Sequence, residues 1–159
     1  MEGVIVGVES TAHTLSIGMV SESGELMPSE SSVFTPEHGG IHPREAADHH
    51  SRVASDLVSS VISREGFSQS DVKAVSFSQG PGLGPCLRVG ASLARTLSKS
   101  WEVPLIGVNH CVAHIEVGRN QTGCEDPVLL YASGGNTQVI ARAGSRYRVL
   151  GETLDIGIG

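Results

Sequence analysis

Two histidines, His110 and His114, lie four residues apart in the run Val108-Asn109-His110-Cys111-Val112-Ala113-His114. The apolar stretch Pro104-Leu105-Ile106-Gly107-Val108 reads as a buried strand, and the residues after it read as a helix. Residues i and i+4 of a helix share one face. Both imidazoles are therefore expected to point at one spot beyond the carboxyl end of a strand. Two neutral imidazoles at that spacing can ligate one transition metal. The plainer alternative is that one histidine packs while the other is solvated. The strand-to-helix setting and the polar, Gly-rich neighbours favour the metal. The position after His110, where an HExxH metallopeptidase carries its glutamate base, holds Cys111. That argues against peptide hydrolysis.

Three further segments carry polar groups. Glu9-Ser10-Thr11-Ala12-His13-Thr14 joins two apolar runs and brings a carboxylate together with three hydroxyls. Such a turn can hold phosphate or a hydrated cation, although an ordinary hairpin would look the same. Gln79-Gly80-Pro81-Gly82-Leu83-Gly84-Pro85 leads from a strand into a helix. A helix N-terminus attracts anions, and Gly82 and Gly84 suit a backbone that approaches a ligand. A tight βα connection explains them equally well, and the pattern is neither a Rossmann nor a Walker loop. Ser133-Gly134-Gly135-Asn136-Thr137 reads as a hairpin turn whose hydroxyls and amides could also hold a nucleotide phosphate or adenylate. His38, His42, His49 and His50 sit in or near a loop and helix start, but at irregular spacings. That loop is read as bordering the active cleft, with His42 near substrate, rather than as a second metal cluster.

The elements that must position these groups follow from periodicity and punctuation. Val4–Val8 reads as a central strand buried on both faces. Leu15–Val20 and Glu25–Phe34 continue it as an antiparallel meander. Pro43 suits the first turn of a helix running Arg44–Glu65, with Ala47, His50, Val53, Leu57 and Val61 on one face and Gly66 as its stop. A strand over Asp71–Ser78, a helix over Pro85–Lys99 and the strand Leu105–Val108 follow. Gly118–Asp126 reads as a loop. Val128–Ala132, Gln138–Arg142 and Tyr147–Gly151 read as strands, with a helix expected after Gly159. Meander strands followed by βα units imply an α/β fold with a mixed sheet and helices on both faces.

Composition narrows the function. A chain of 159 residues with net charge −6 and 4% aromatics suits neither phosphate neutralisation over a broad face nor base stacking on aromatic platforms. Any RNA contact needs a local basic patch or a partner. Cys86, Cys111 and Cys124 form an odd set without CxxC spacing, which implies free thiols in a reducing interior. No run approaches a membrane span and no signal-peptide pattern opens the chain, so a cytoplasmic location without membrane partners is expected. The chain stops at Leu154-Asp155-Ile156-Gly157-Ile158-Gly159 without a cap, which reads as a truncation.

Glu9-Ser-Thr-Ala-His13, Gly39-Gly-Ile-His-Pro-Arg-Glu45, Ser78-Gln-Gly-Pro-Gly-Leu-Gly-Pro-Cys-Leu-Arg88, Asn109-His-Cys-Val-Ala-His114 and Ser133-Gly-Gly-Asn-Thr-Gln138 occur in that order. Together they resemble the archaeal and eukaryotic branch of the tRNA N6-adenosine threonylcarbamoyltransferase family, formerly labelled O-sialoglycoprotein endopeptidase. The resemblance covers essentially the whole chain. It implies the actin, sugar-kinase and chaperone-ATPase fold of two RNase H-like lobes, with residues 1–159 supplying the first lobe and the start of the crossover, and the second lobe absent. It implies an iron or zinc ion on His110, His114 and Tyr131, with a further aspartate ligand in the absent lobe. It implies an adenine nucleotide or threonylcarbamoyl-AMP on Tyr131, Ala132, Ser133, Gly134 and Gly135. Glu9, Ser10, Thr11, His13, His42, Gly82 and Gly84 are candidates to line the cleft. The implied reaction moves the threonylcarbamoyl group to N6 of the adenosine beside the tRNA anticodon. The implied partners are tRNA, a small protein kinase and small accessory subunits. A phosphotransferase of the same fold and a non-catalytic nucleotide-binding scaffold are the alternatives beside the peptidase. A single lobe with an incomplete metal shell is expected to be inactive alone.

Overall fold

The computed structural model describes residues 3–64, 67–133, 136–144 and 146–155. The chain divides into two compact units, Met1–His110 and Cys111–Gly159.

The first unit is built on a five-stranded mixed sheet in the order β3-β2-β1-β4-β5. β1 (Val4–Glu9), β2 (Thr14–Ser21) and β3 (Leu26–Val33) form the expected antiparallel meander, with Val6 opposite Met19 and Ile17 opposite Glu30. β4 (Val72–Gly80) then pairs parallel to β1, and β5 (Leu105–Asn109) parallel to β4. Parallel pairing needs a crossover, and helices α1 (Pro43–Ile62) and α2 (Gly84–Trp101) supply it. β1 is central. Its side chains alternate, so Val4, Val6 and Val8 are buried while Ile5, Gly7 and Glu9 are half-buried.

Both helices rest on the Val4–Val6–Val8 face. Val61 of α1 packs with Val4, Val6, Ile17, Met19 and Val72, and Ala94 and Leu97 of α2 pack with Val8, Leu15 and Val75. α1 begins at Pro43, with His42 at its cap in extended geometry and no side-chain cap bond. It ends at Ser63, which returns its amide to the Ser59 carbonyl at 3.0 Å. The helix thus stops before Gly66, the expected stop, which lies outside the described residues. α2 stops where Glu102 turns left-handed at φ 55°. α2 can lie close to the β1–β2 turn because Gly90 faces Ser10, and a Cβ at position 90 would collide with both heavy atoms of the serine side chain.

The second unit holds α3 (His110–Thr122), which begins on the last residue of the first unit, and a three-stranded antiparallel sheet, β6-β7-β8. Its strands are β6 (Val128–Ser133), β7 (Asn136–Ala143) and β8 (Arg146–Glu152). Its core is Cys111, Ile115 and Ile140, flanked by Leu129, Tyr131 and Tyr147. Val128 and Leu130, on the other face of β6, are exposed. The loop expected from Gly118 begins later, because α3 runs through Gly118 to Thr122. The left-handed residue that ends it is Gly123 (φ 69°), whose amide donates to the Arg119 carbonyl at 2.9 Å. Arg119 holds both carboxylate oxygens of Glu116 at 2.9 Å one turn back. Among the described residues no helix is long and apolar enough to cross a membrane.

The sheet core also encloses an imidazole. His50, on α1, is 0% exposed; its Nε2 donates to the Ala12 carbonyl at 2.9 Å, and its Nδ1 has no hydrogen-bond partner among the described residues. Burial pushes its pKa below the ordinary 6.5, against the raising effect of the Ala12 bond.

Three outcomes are expected. Gly90→Ala gains helix propensity but must displace Ser10, so urea unfolding should show a loss of about 1–3 kcal/mol. Gly118→Ala, with open space around its Cβ, should gain about 0.5–1 kcal/mol. Because the folded pKa of His50 is depressed, its neutral form contributes fully above the unfolded value of 6.5, and that contribution is lost as pH falls through the folded value. The urea midpoint of His50→Gln should therefore fall less steeply than wild type below pH 6.5.

Candidate functional site

The parallel strands β1, β4 and β5 are neighbours and run in one direction. Their carboxyl ends bring three polar residues together: Glu9 closes β1, Ser78 lies near the end of β4, and His110 follows β5 directly. In open α/β sheets, ligands gather beyond these strand ends. Register explains the meeting. Val8 pairs with Phe77, which places Glu9 level with Ser78, and Gly80 pairs with Asn109, which brings His110 to the same edge.

Glu9 is the hub. Its Oε1 accepts the Thr11 amide at 2.6 Å, and its Oε2 accepts the Ser78 hydroxyl and lies 3.1 Å from His110 Nδ1. Burial alone would push the Glu9 pKa up. The hydrogen bonds from Ser78 and Thr11 and the charge of His110 outweigh that and hold it below the ordinary 4.5. An ionised carboxylate only accepts hydrogen bonds, so a bond between Glu9 Oε2 and His110 requires the proton on Nδ1. The His110 side chain is 15% exposed and that of Glu9 35%.

The turn after Glu9 is held by its neighbours. Ser10 and Thr11 are buried. The Thr11 carbonyl accepts the Leu83 amide at 2.7 Å, and the His13 carbonyl accepts the Phe34 amide at 2.8 Å. A Cβ on Gly82 would lie 2.5 Å from the Thr11 carbonyl oxygen, so the close backbone approach at this glycine is to the chain itself. Gly84 opens α2 with no atom within 4 Å of where its Cβ would stand. His42 is exposed at the start of α1, with its carbonyl on the Ala46 amide at 3.1 Å. His38 is exposed, His49 is bonded to Ser32 at 2.9 Å, and His50 is inside. The four histidines thus face different surroundings.

In the second unit, His114 and Tyr131 face each other with ring centroids 5.4 Å apart and planes tilted by 55°. His114 is exposed and Tyr131 half-buried. Tyr131 shares the inward side of β6 with Leu129 by strand alternation, while Ala132 is exposed and Ser133 half-buried. Gly134 and Gly135 lie outside the described residues. His110 and His114 are the first and fifth residues of α3 and so lie one turn apart on one helix face. Among the described residues, no group of three or more His, Cys, Asp or Glu side chains is placed to hold a metal. A metal here would draw on imidazole and phenol donors, and that set is chemically suited to iron or zinc.

Cys86, Cys111 and Cys124 are free thiols, as their spacing implies. Burial pushes Cys86 and Cys111 above the ordinary thiol pKa, so both stay protonated and unreactive. Ser78 and Ala12 are the partners that spacing does not single out. Each is defined by pairing across the fold, and only strand register reveals Ser78. A surface groove of about 540 Å³, lined by Phe34, Glu45, Asp48, Ser51 and Arg52, contains none of these residues.

Comparison with known proteins places the chain. The sequence model of the tRNA N6-adenosine threonylcarbamoyltransferase family (TsaD) matches residues 27–159. A protein of that name from Archaeoglobus fulgidus is 57% identical over 158 residues, covering 98% of this chain and 47% of the relative. One from Thermococcus gammatolerans is 52% identical over 156 residues, with 98% and 47% covered. A probable bifunctional tRNA threonylcarbamoyladenosine biosynthesis protein from Thermoplasma volcanium is 53% identical, with 98% of this chain and 29% of the relative covered. The chain thus spans about half the length of the first two relatives and less of the third. Among solved structures, YeaZ from Pseudomonas aeruginosa superposes with a TM-score of 0.63 at 16% identity, covering 95% of this chain and 66% of that one. The ethanolamine utilization protein EutJ from Carboxydothermus hydrogenoformans gives 0.60 at 14%, covering 96% and 51%. These two likenesses establish the RNase H-like, actin-type α/β fold. The chain belongs to the tRNA N6-adenosine threonylcarbamoyltransferase family.

Proposed function

We propose that this chain is the first lobe, with the start of the crossover, of an acyltransferase that modifies tRNA. In this reading the enzyme moves the threonylcarbamoyl group from threonylcarbamoyl-AMP to N6 of the adenosine next to the anticodon. Family membership supports the reaction class. The observation that carries the site is the line Glu9–Ser78–His110 across three parallel strand ends, continued one turn along α3 by His114.

The exocyclic amine attacks the carbamoyl carbon, the bond from that carbon to the AMP phosphate oxygen breaks, and the amine loses one proton. No enzyme-bound acyl group is required, and the protonated Cys86 and Cys111 thiols suit that route. His110, His114 and Tyr131 would hold an iron or zinc ion, with a further ligand from sequence beyond this chain. When bound, the ion supplies Lewis-acid polarisation of a donor oxygen. Tyr131, Ala132 and Ser133, leading into Gly134 and Gly135, would hold the adenylate, with backbone amides as phosphate donors. Ser10, Thr11, His13, His42, Gly82 and Gly84 would border the cleft at the β1–β2 turn and the starts of α1 and α2. The net charge of −6 leaves the basic surface for tRNA to partners, read as a small protein kinase and small accessory subunits in the cytoplasm. The peptidase reading is disfavoured by Cys111, which stands where a base is required and is only 5% exposed.

The test is metal analysis of the full-length protein beside a tRNA-modification assay. His110→Ala and His114→Ala should each lower bound metal at least about tenfold and abolish modification. Tyr131→Phe should weaken metal binding while leaving the fold intact by circular dichroism. Unchanged metal content and modification in both histidine variants would overturn the site assignment.

A further inference from the structure

Glu9 has two oxygens and three donors: the Thr11 amide, the Ser78 hydroxyl and His110 Nδ1. A carboxylate whose two oxygens are so occupied is badly placed to take a proton from a substrate, which argues against Glu9 as a general base. Its geometry suits a different task. Thr11 fixes one oxygen through the backbone, and Ser78 fixes the other from the neighbouring strand. The second oxygen is thereby aimed at one nitrogen of the imidazole that starts α3.

We propose that Glu9, buttressed by Ser78, is a positioning residue that locks His110 as the Nδ1–H tautomer and so leaves the ligating lone pair on Nε2. The proposal rests on the reading of His110 as a metal ligand. A neutral imidazole carries one proton and one lone pair; which nitrogen binds a metal is decided by the bond the other makes. Without Glu9 the ring would distribute between tautomers and rotate about its side-chain bonds. Carboxylate partners of ligating histidines change metal affinity by about 10–100-fold. Glu9, Ser78 and His110 all belong to the first unit, so this arrangement lies within one compact unit.

The test uses metal-free full-length protein with 15N-labelled histidine and long-range 15N–1H correlation spectra. Wild-type His110 should show a protonated Nδ1 and an unprotonated Nε2. In Glu9→Gln the amide oxygen is expected to stay on the Thr11 amide, turning the NH2 group toward the ring. His110 should then shift to the Nε2–H tautomer, and zinc affinity by competition titration should fall about 10–100-fold. A wild-type His110 that is Nε2–H in the metal-free protein overturns the proposal without any variant. If His110→Ala removes zinc binding while Glu9→Gln changes neither tautomer nor affinity, the positioning role falls and the metal site stands. If Glu9→Gln switches the tautomer while His110→Ala leaves zinc affinity unchanged, the metal reading falls, and with it the claim that the tautomer serves a metal.

Discussion

One buried-edge carboxylate ties the first unit together. Glu9 joins the end of β1 to the turn that follows it, to β4 through Ser78, and to the start of α3 through His110. Removing that carboxylate would leave three donors without their acceptor at the sheet edge, and unsatisfied partners of that kind are costly when shielded from water. The arrangement is possible only because three parallel strands end together. That in turn follows from the meander, which puts β1 in the middle, and from the two helical crossovers that bring β4 and β5 alongside it.

Close backbone packing is the second constraint. The Gly-rich run between β4 and α2 looks in sequence like a phosphate cradle. Gly82 in that run, and Gly90 inside α2, serve the fold instead. Gly82 lies against Thr11, Leu83 donates to the Thr11 carbonyl, and Gly90 lets α2 settle on Ser10. His50 reaches the same turn from α1 through the Ala12 carbonyl. The β1–β2 turn is thus gripped from the β4–α2 loop, α1 and α2. A turn so held is preorganised, which suits any ligand that depends on its amides and hydroxyls.

Much of the architecture was legible because burial writes itself as period. The apolar runs Val4–Val8 and Leu15–Val20, and the three-to-four spacing of Ala47, His50 and Val61, predict β1, β2 and α1 to within a few residues. Boundaries were less legible where a residue type has two uses. Gly118 reads as a stop but sits inside α3, while Gly123 supplies the left-handed turn. The split at His110 left no compositional mark, because one helix begins in the first unit and continues into the second. His110 and His114 stand out by their spacing on one helix. Glu9 and Ser78 each open a motif, but their pairing is not legible, since it depends on strand register between segments far apart in the chain. The inward position of Tyr131 follows from strand alternation, but its approach to His114 does not, because it depends on how α3 lies on β6.

The chain spans about half the length of the Archaeoglobus and Thermococcus relatives, and the catalytic account extends across that whole length. Its central claim is local, however: a metal ion bound by the imidazoles at the start of α3 and the phenol of Tyr131. The most direct measurement is anomalous diffraction, at the iron and zinc edges, from crystals of the full-length protein grown with metal. The account predicts an anomalous peak about 2.0–2.2 Å from Nε2 of both His110 and His114, with Tyr131 in the same coordination sphere. A peak ligated through His110 Nδ1, or a metal bound away from these three side chains, would contradict it.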